Sequence, residues 1–289
     1  MGRHRANRRC GVGRRSWRCR VTPEAQDADD LELALQAADA AGQILMHYWL
    51  DRQNLSIHTK RAGDFLSQAD LEAEACLKTI LLGARPDDGW LGEETGASHS
   101  ARRRWIVDPL DGTTNFLRGI PHWAVSIALE VDGQRRLGVV HDPVKAETFS
   151  AHLGHGAHQN GAPIHVSGTD DLSAALFGTG IPFGGMAHID DHAADIAALM
   201  PHCAGVRRMG AAALDLAYVA AGRLDGFWER RLQQWDIAAG LVILHESGAR
   251  TAALDPAERP EATGTVMTAT PMLFDAFAKL LRDQTLRRA

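Results

Sequence analysis

Apolar and polar positions change their period several times along the chain, and each change marks an element. Over residues 27–51, Leu31, Leu33, Leu35, Ala38, Ala41, Ile44, Leu45 and Tyr48 recur at largely helical spacing, which predicts one long amphipathic helix covering a sheet. A connection over 54–64 leads to a second helix starting near 67–70. Its apolar side carries Leu71, Ala75, Leu77, Ile80 and Leu81, and Pro86 and Gly89 end it. The runs 124–129, 137–140 and 148–151 are β-prone and are separated by Asp132-Gly133 and Asp142-Pro143, so they read as adjacent strands. Asn160-Gly161 is a two-residue hairpin signal that closes this half as a meander. The second half alternates: strands near 174–179, 206–208, 224–229 and 266–268, and helices over 189–200, 211–221, 235–246 and 271–283. Helices and strands in such blocks predict layered α/β sheets.

One stretch organises the rest. In Arg104-Trp105-Ile106-Val107-Asp108-Pro109-Leu110-Asp111-Gly112-Thr113-Thr114-Asn115-Phe116 an apolar strand end stops at two carboxylates, a glycine and two hydroxyls. Pro109 pushes Asp108 into extended backbone and supplies no N–H, while Gly112 tolerates the positive φ of a sharp turn. Two carboxylates in one tight turn repel each other, and a hard divalent cation bound through oxygen is the best explanation for concentrating them. Thr113 and Thr114 are candidate helix-start residues whose free N–H groups favour an anion. Metal and anion side by side point to phosphate chemistry. A site for two Mg2+ ions needs further oxygen ligands from separate segments, and Glu93 and Asp236 are the candidates. Taken singly, each has another reading: Glu93-Glu94 as a solvated loop, Asp236 as an acid at a helix N-terminus, and the 108–111 pair as an Asp-Pro turn.

The run from Asp108 to Phe116 resembles the signature of the inositol monophosphatase family, as do Lys60 to Asp70, Gly92-Glu93-Glu94-Thr95 and Trp235-Asp236-Ile237-Ala238-Ala239-Gly240, in the family's order. The resemblance runs from about residue 30 to near the C-terminus. It implies alternating α-β-α-β-α layers, the fold shared with fructose bisphosphatases, and a Mg2+-dependent, lithium-sensitive phosphatase domain over 25–289, with halves near 25–170 and 171–289. It implies that Glu93, Asp108 and the Leu110 carbonyl bind one ion, that Asp108, Asp111 and Asp236 bind a second, and that a third, weaker ion lies near Glu93. Asp70 and Thr113 match the pair that orients and helps deprotonate a water, a role the chemistry allows because a buried carboxylate can polarise a hydroxyl. Lys60 matches a basic position near the carboxylates or the phosphate. Asp111, Gly112, Thr113, Gly210, Ala212, Glu229 and Asp236 match the substrate side, Glu229 contacting substrate hydroxyls. Ala211 lacks a hydroxyl that some members carry there. The implied substrate is inositol 1-phosphate or a similar small polyol or sugar phosphate, handled by a homodimer. A histidinol-phosphate phosphatase of the same superfamily is the nearest alternative, and a regulator associated with RNA polymerase is the alternative from another class.

Composition narrows this only slightly. With 289 residues, 45% of them hydrophobic and 23% charged, the chain reads as an ordinary soluble protein with no membrane span. The net charge of −5 hides an Arg-rich start: residues 1–20 hold eight Arg and no acid, leaving 23 basic against 36 acidic side chains in the rest. No apolar h-region follows, so residues 1–24 are expected to be a disordered basic extension and not a secretion signal. The extension has no aromatic interleaving beyond Trp17 and no folded RNA motif, which argues against nucleic acid as a partner. Cys10, Cys19, Cys76 and Cys203 form no C-x-x-C pair and suit a reducing cytoplasm. His152, His155 and His158 cluster and His188 and His192 stand four apart, without a zinc-protease Glu, so solvent-exposed histidines are expected.

Overall fold

The computed structural model describes residues 23–55, 57–61, 64–181 and 189–286. The basic start, Cys10, Cys19 and His188 lie outside them. The chain opens with helix α1 (Pro23–Leu50), then strands β1 (Ile57–Arg61) and β2 (Asp64–Ser67), which pair as an antiparallel hairpin in what the sequence pattern reads as a plain connection. Helix α2 (Gln68–Ala84) follows. Next come β3 (Gly89–Gly92), β4 (Gly96–Ser98), β5 (Arg103–Asp111), the short helix α3 (Thr113–Arg118), β6 (Ala124–Val131), β7 (Gln134–Asp142), β8 (Glu147–His152), β9 (Ala157–Gln159) and β10 (Ala162–Ile164). These strands form an eight-stranded sheet in the order β10-β9-β8-β7-β6-β5-β3-β4, antiparallel except where β3 runs parallel to β5. The expected meander is its β5 to β10 portion, and Asn160-Gly161 turns β9 into β10 with both residues at positive φ.

The second half supplies β11 (Leu176–Thr179), α4 (Ile189–Leu199), β12 (Gly205–Arg207), α5 (Ala212–Ala220), β13 (Gly226–Glu229), α6 (Gln234–Ser247), β14 (Arg250–Ala252), α7 (Pro260–Thr263), β15 (Val266–Ala269) and α8 (Phe274–Leu286). Its five-stranded sheet has the order β12-β11-β13-β15-β14. Strand β14 and helix α7 are absent from the sequence pattern, because three or four residues are too short to show a period.

Three apolar clusters give the layer order. One joins α1 and α2 to one face of the large sheet through Trp105, Val107, Val125 and Ile127. The second fills the space between the sheets with α5 and α6, and the third packs α4 and α8 on the outer face of the small sheet. The arrangement is α-β-α-β-α, as the family resemblance implies. Helix α1 corrects one detail. Its buried stripe is Ala34, Ala37, Ala38, Ala41, Leu45 and Trp49, whereas Leu31, Leu33 and Leu35 are only half-buried. Alanines let the helix approach its neighbours closely, so small side chains outrank the leucines a hydropathy count favours. Buried Asp30 then ties α1 to Arg85 at the end of α2 and to Arg103 on β5, at 2.7 and 2.8 Å.

Candidate functional site

Strand β5 delivers the central carboxylates. It is buried along Trp105, Ile106, Val107, Asp108 and Leu110, and its register with β6 slips between Asp108 and Asp111, where Pro109 stands. A proline fits there because a bulge needs no N–H from it. Asp108 is 2% exposed, and one of its oxygens accepts the Leu110 N–H at 2.9 Å. Gly112 then turns the chain at φ 95°, where a Cβ would crowd His122 O, Ala211 and Trp123 at 3.1 to 3.2 Å. Both the angle and the space require glycine. Thr113 and Thr114 open α3 as expected.

The remaining carboxylates arrive from other elements. Asp111 accepts the Ala213 N–H of α5 at 2.6 Å, which joins the β5 turn to the 210–212 segment. Asp236 is the third residue of α6 and caps it by accepting the Gln233 N–H at 2.7 Å. Glu93 follows β3, its N–H bonded to Val107 O at 3.1 Å. Burial, then repulsion from Glu93, Asp111 and Asp236, holds the Asp108 carboxyl well above the usual carboxylate range. Burial and chiefly Asp111 do the same to Asp236. Burial raises Asp111 to about 7 against the opposing Ala213 N–H. Glu229, at the end of β13, is pushed up to about 8 by burial, then by Asp215 and Asp111. Gly180 makes room for it, since a Cβ at 180 would collide with the Glu229 carboxylate. The structure therefore gathers Glu93, Asp108, Asp111 and Asp236 within mutual electrostatic reach, with Glu229 in reach of Asp111 and Asp236.

Among the described residues no three His, Cys, Asp or Glu side chains already close around a point. The donors nevertheless fit a hard divalent cation: all are oxygens, and burial beside like charges raises the proton affinity of Asp108, Asp111 and Asp236 in a way that a bound cation would reverse. Leu110 presents a backbone carbonyl to the same turn. It lies 3.0 Å from the Thr113 hydroxyl, which is also 3.2 Å from an oxygen of Asp70 and has one proton to share between them. Asp70 is fully buried, caps α2 through Ser67 N–H and O–H bonds at 2.8 and 2.5 Å, and is pushed up to about 6 by burial. Capping and a role toward Thr113 coexist in one side chain.

The 210–212 segment is fixed from behind. Gly210 sits at φ 88°, Ala212 starts α5, and the Asn115 amide donates to His122 O and Met209 O, both at 2.8 Å. Lys60 lies on β1, and its side chain falls outside the described residues. The histidine expectation needs correction for His192, which is 2% exposed and stacks on Trp228 at 5.8 Å between ring centroids. His152 is half-buried and lies 3.8 Å from His155, centroid to centroid.

Three residues at this site escape sequence reasoning. Glu74, 1% exposed on α2, accepts Glu94 N–H at 2.8 Å, Thr95 N–H at 3.0 Å and the Thr95 hydroxyl at 2.5 Å, so it clamps the turn carrying Glu93. The available signal was its place one helical turn beyond Asp70. Asp215 is buried in α5 with His122 Nε2 3.5 Å away, and burial holds its carboxyl well above the usual range. An acid inside an otherwise apolar nine-residue helix was the signal. Arg208, just before the 210–212 segment, acts on Glu229 and Asp215 through its charge.

Comparison with known proteins gives a consistent result. The family model described as "Inositol monophosphatase family" matches residues 27–286. The chain is 43% identical over 254 residues to an inositol-1-monophosphatase of Mesorhizobium japonicum, covering 87% of this chain and 96% of that one. It is also 43% identical over 224 residues to the Nus factor SuhB of Pseudomonas aeruginosa, covering 75% and 83%. The crystal structure of extragenic suppressor protein suhB from Bartonella henselae superposes with a TM-score of 0.84 at 38% identity, covering 87% and 97%.

Proposed function

The chain belongs to the inositol monophosphatase family, and from that premise we propose that it is a Mg2+-dependent phosphomonoesterase releasing phosphate from inositol 1-phosphate or a similar small polyol phosphate. The observation that carries this reading is the meeting of Glu93 after β3, Asp108 and Asp111 on β5, and Asp236 on α6, three separate segments, in mutual repulsion beside the Asp70–Thr113 pair. Glu93, Asp108 and the Leu110 carbonyl would hold one ion, and Asp108, Asp111 and Asp236 a second. When bound, the ions supply an activated water and neutralise charge on the phosphate.

The chain's own groups do the rest. Asp70 accepts a proton relayed through the Thr113 hydroxyl, its raised proton affinity suiting a base near neutral pH. Backbone at Gly112 and Thr113 faces the phosphate oxygens. Gly210 and Ala212 form a small wall beside the ring, and Glu229 accepts hydrogen bonds from substrate hydroxyls. A homodimer in a reducing cytoplasm completes the reading, in keeping with the free thiols of Cys76 and Cys203.

A phosphate-release screen tests it, with inositol 1-phosphate, histidinol phosphate, fructose 1,6-bisphosphate and 3′-phosphoadenosine 5′-phosphate as substrates. The highest kcat/KM is expected for inositol 1-phosphate; a preference for histidinol phosphate would move the chain to that branch. The name of the Pseudomonas aeruginosa relative, a Nus factor, favours a second reading as a transcription-associated protein. RNA retention by the full chain that is lost on deleting residues 1–20, with turnover unchanged, would support it.

A further inference from the structure

A cavity of about 700 Å³ lies on the flank of α6, and none of Glu93, Asp108, Asp111 or Asp236 lines it. Three guanidinium groups do: Arg104 from the start of β5, Arg135 from β7 and Arg259 from the residue before α7. Arg104 is engaged, donating to Glu130 at 2.8 Å and to Gln234 at 3.2 Å, yet its Nε is buried without a partner. Arg135 is the more exposed to question. Its side chain is only 8% accessible, its Nε is likewise buried and unpartnered, and its nearest carboxylate, Glu261, stands 3.6 Å away, outside hydrogen-bond range.

A guanidinium removed from water without a close acceptor is strongly unfavourable. Burial, with Arg104 and Arg259 nearby, disfavours the charge on Arg135 despite Glu261 and Glu130. The acids do not answer this need, because Glu130 is held by Arg104 and Glu261 is 42% exposed. The fork of a guanidinium matches phosphate oxygens in geometry and charge. The volume falls in the range of small-molecule sites and exceeds what one phosphate fills, while Leu153, Leu241 and Val242 give the same cavity an apolar wall.

We propose that this cavity is a second ligand site, which binds a small phosphomonoester with its phosphate on Arg135, assisted by Arg104 and Arg259, and its organic body against Leu153, Leu241 and Val242. The site is separate from the carboxylate mouth and requires no metal ion. It does not depend on the activity proposed above.

Isothermal titration of the full chain in excess chelator tests it, with ribose 5-phosphate, ribose and orthophosphate as probes. Ribose 5-phosphate is expected to saturate one site per chain, and ribose alone to give no heat. Arg135→Gln should weaken binding at least tenfold and Arg259→Gln severalfold, while Asp111→Asn leaves it unchanged. Orthophosphate binding more weakly than ribose 5-phosphate supports a contribution from the organic body. Equal affinity of the two keeps the phosphate site and makes free phosphate its ligand. No saturable binding of either by about 10 mM, the range of very weak association, would overturn the inference, as would isotherms indifferent to both arginine substitutions. Arg259 is exposed, so its variant decides the matter even if Arg135→Gln does not fold.

Discussion

Glu229 sits at the end of β13 where Gly180 yields space to its carboxylate, close enough to Asp111 and Asp215 to feel their charge. In the role proposed for it, beside substrate hydroxyls and outside the ion ligands, it should affect specificity. Assayed at about pH 9, where a carboxyl raised to about 8 is ionised, Glu229→Gln is expected to lower kcat/KM for inositol 1-phosphate by roughly 1 to 3 kcal/mol, the scale of one charge-assisted hydrogen bond. An aryl phosphate without those hydroxyls should suffer less, and equal losses on both would move Glu229 into the catalytic machinery or the fold. Glu74 makes a different prediction, because it touches the Glu93 turn and not the substrate. Glu74→Gln should raise the Mg2+ concentration for half-maximal activity about tenfold, as loss of a ligand's support does, with turnover at saturating Mg2+ nearly kept. A variant that is merely less stable, with an unchanged Mg2+ curve, would contradict the positioning role. Asp108, Asp111 and Asp236 were legible in the sequence because each stands in a local motif. Glu74 was not, since its partners Glu94 and Thr95 lie 20 and 21 residues away and its own helix gives no sign of them.

Helix α4 is held to the small sheet through His192, whose ring lies flat on Trp228 and whose Nε2 is 3.4 Å from the Thr179 hydroxyl. Burial, with Arg230 and Arg208 nearby, lowers its proton affinity to a pKa of about 4. As pH falls below about 6.5 the unfolded chain binds this proton first, so the native state loses stability between pH 6.5 and 4 and gains nothing from this group above 7. The loss should reach about 2 kcal/mol, allowing for partial screening. Urea unfolding at pH 7.5 and pH 4.5 checks this against His192→Phe, which should show a correspondingly smaller drop; identical pH dependence in both proteins would exclude His192 as a source. Element boundaries were readable where a period ran for two or more turns or strands. They were lost for β4, where Gly96-Ala97-Ser98, its last two residues exposed, has no pattern of its own and becomes a strand by pairing with β3. The hairpin of β1 and β2 was hidden in the same way.

Across the whole molecule, the layer order was available from the family resemblance, but the strand order was not, because pairing β3 parallel to β5 with β4 at the edge joins segments whose relation no local pattern encodes. The same nonlocal packing brings Asp236 to Asp108 across 128 positions and leaves three layers of helices enclosing the two sheets. The fold thereby assembles buried carboxylates whose mutual repulsion a divalent cation would relieve, which is what the proposed function rests on. The direct measurement is phosphate release from inositol 1-phosphate by the full chain in excess chelator, then after adding Mg2+, in the wild type and in Asp111→Asn. No turnover is expected in chelator, with recovery on adding Mg2+ in the wild type and a loss of several orders of magnitude in Asp111→Asn at saturating Mg2+. Full activity in chelator, or near-normal turnover of Asp111→Asn, would contradict the proposed function.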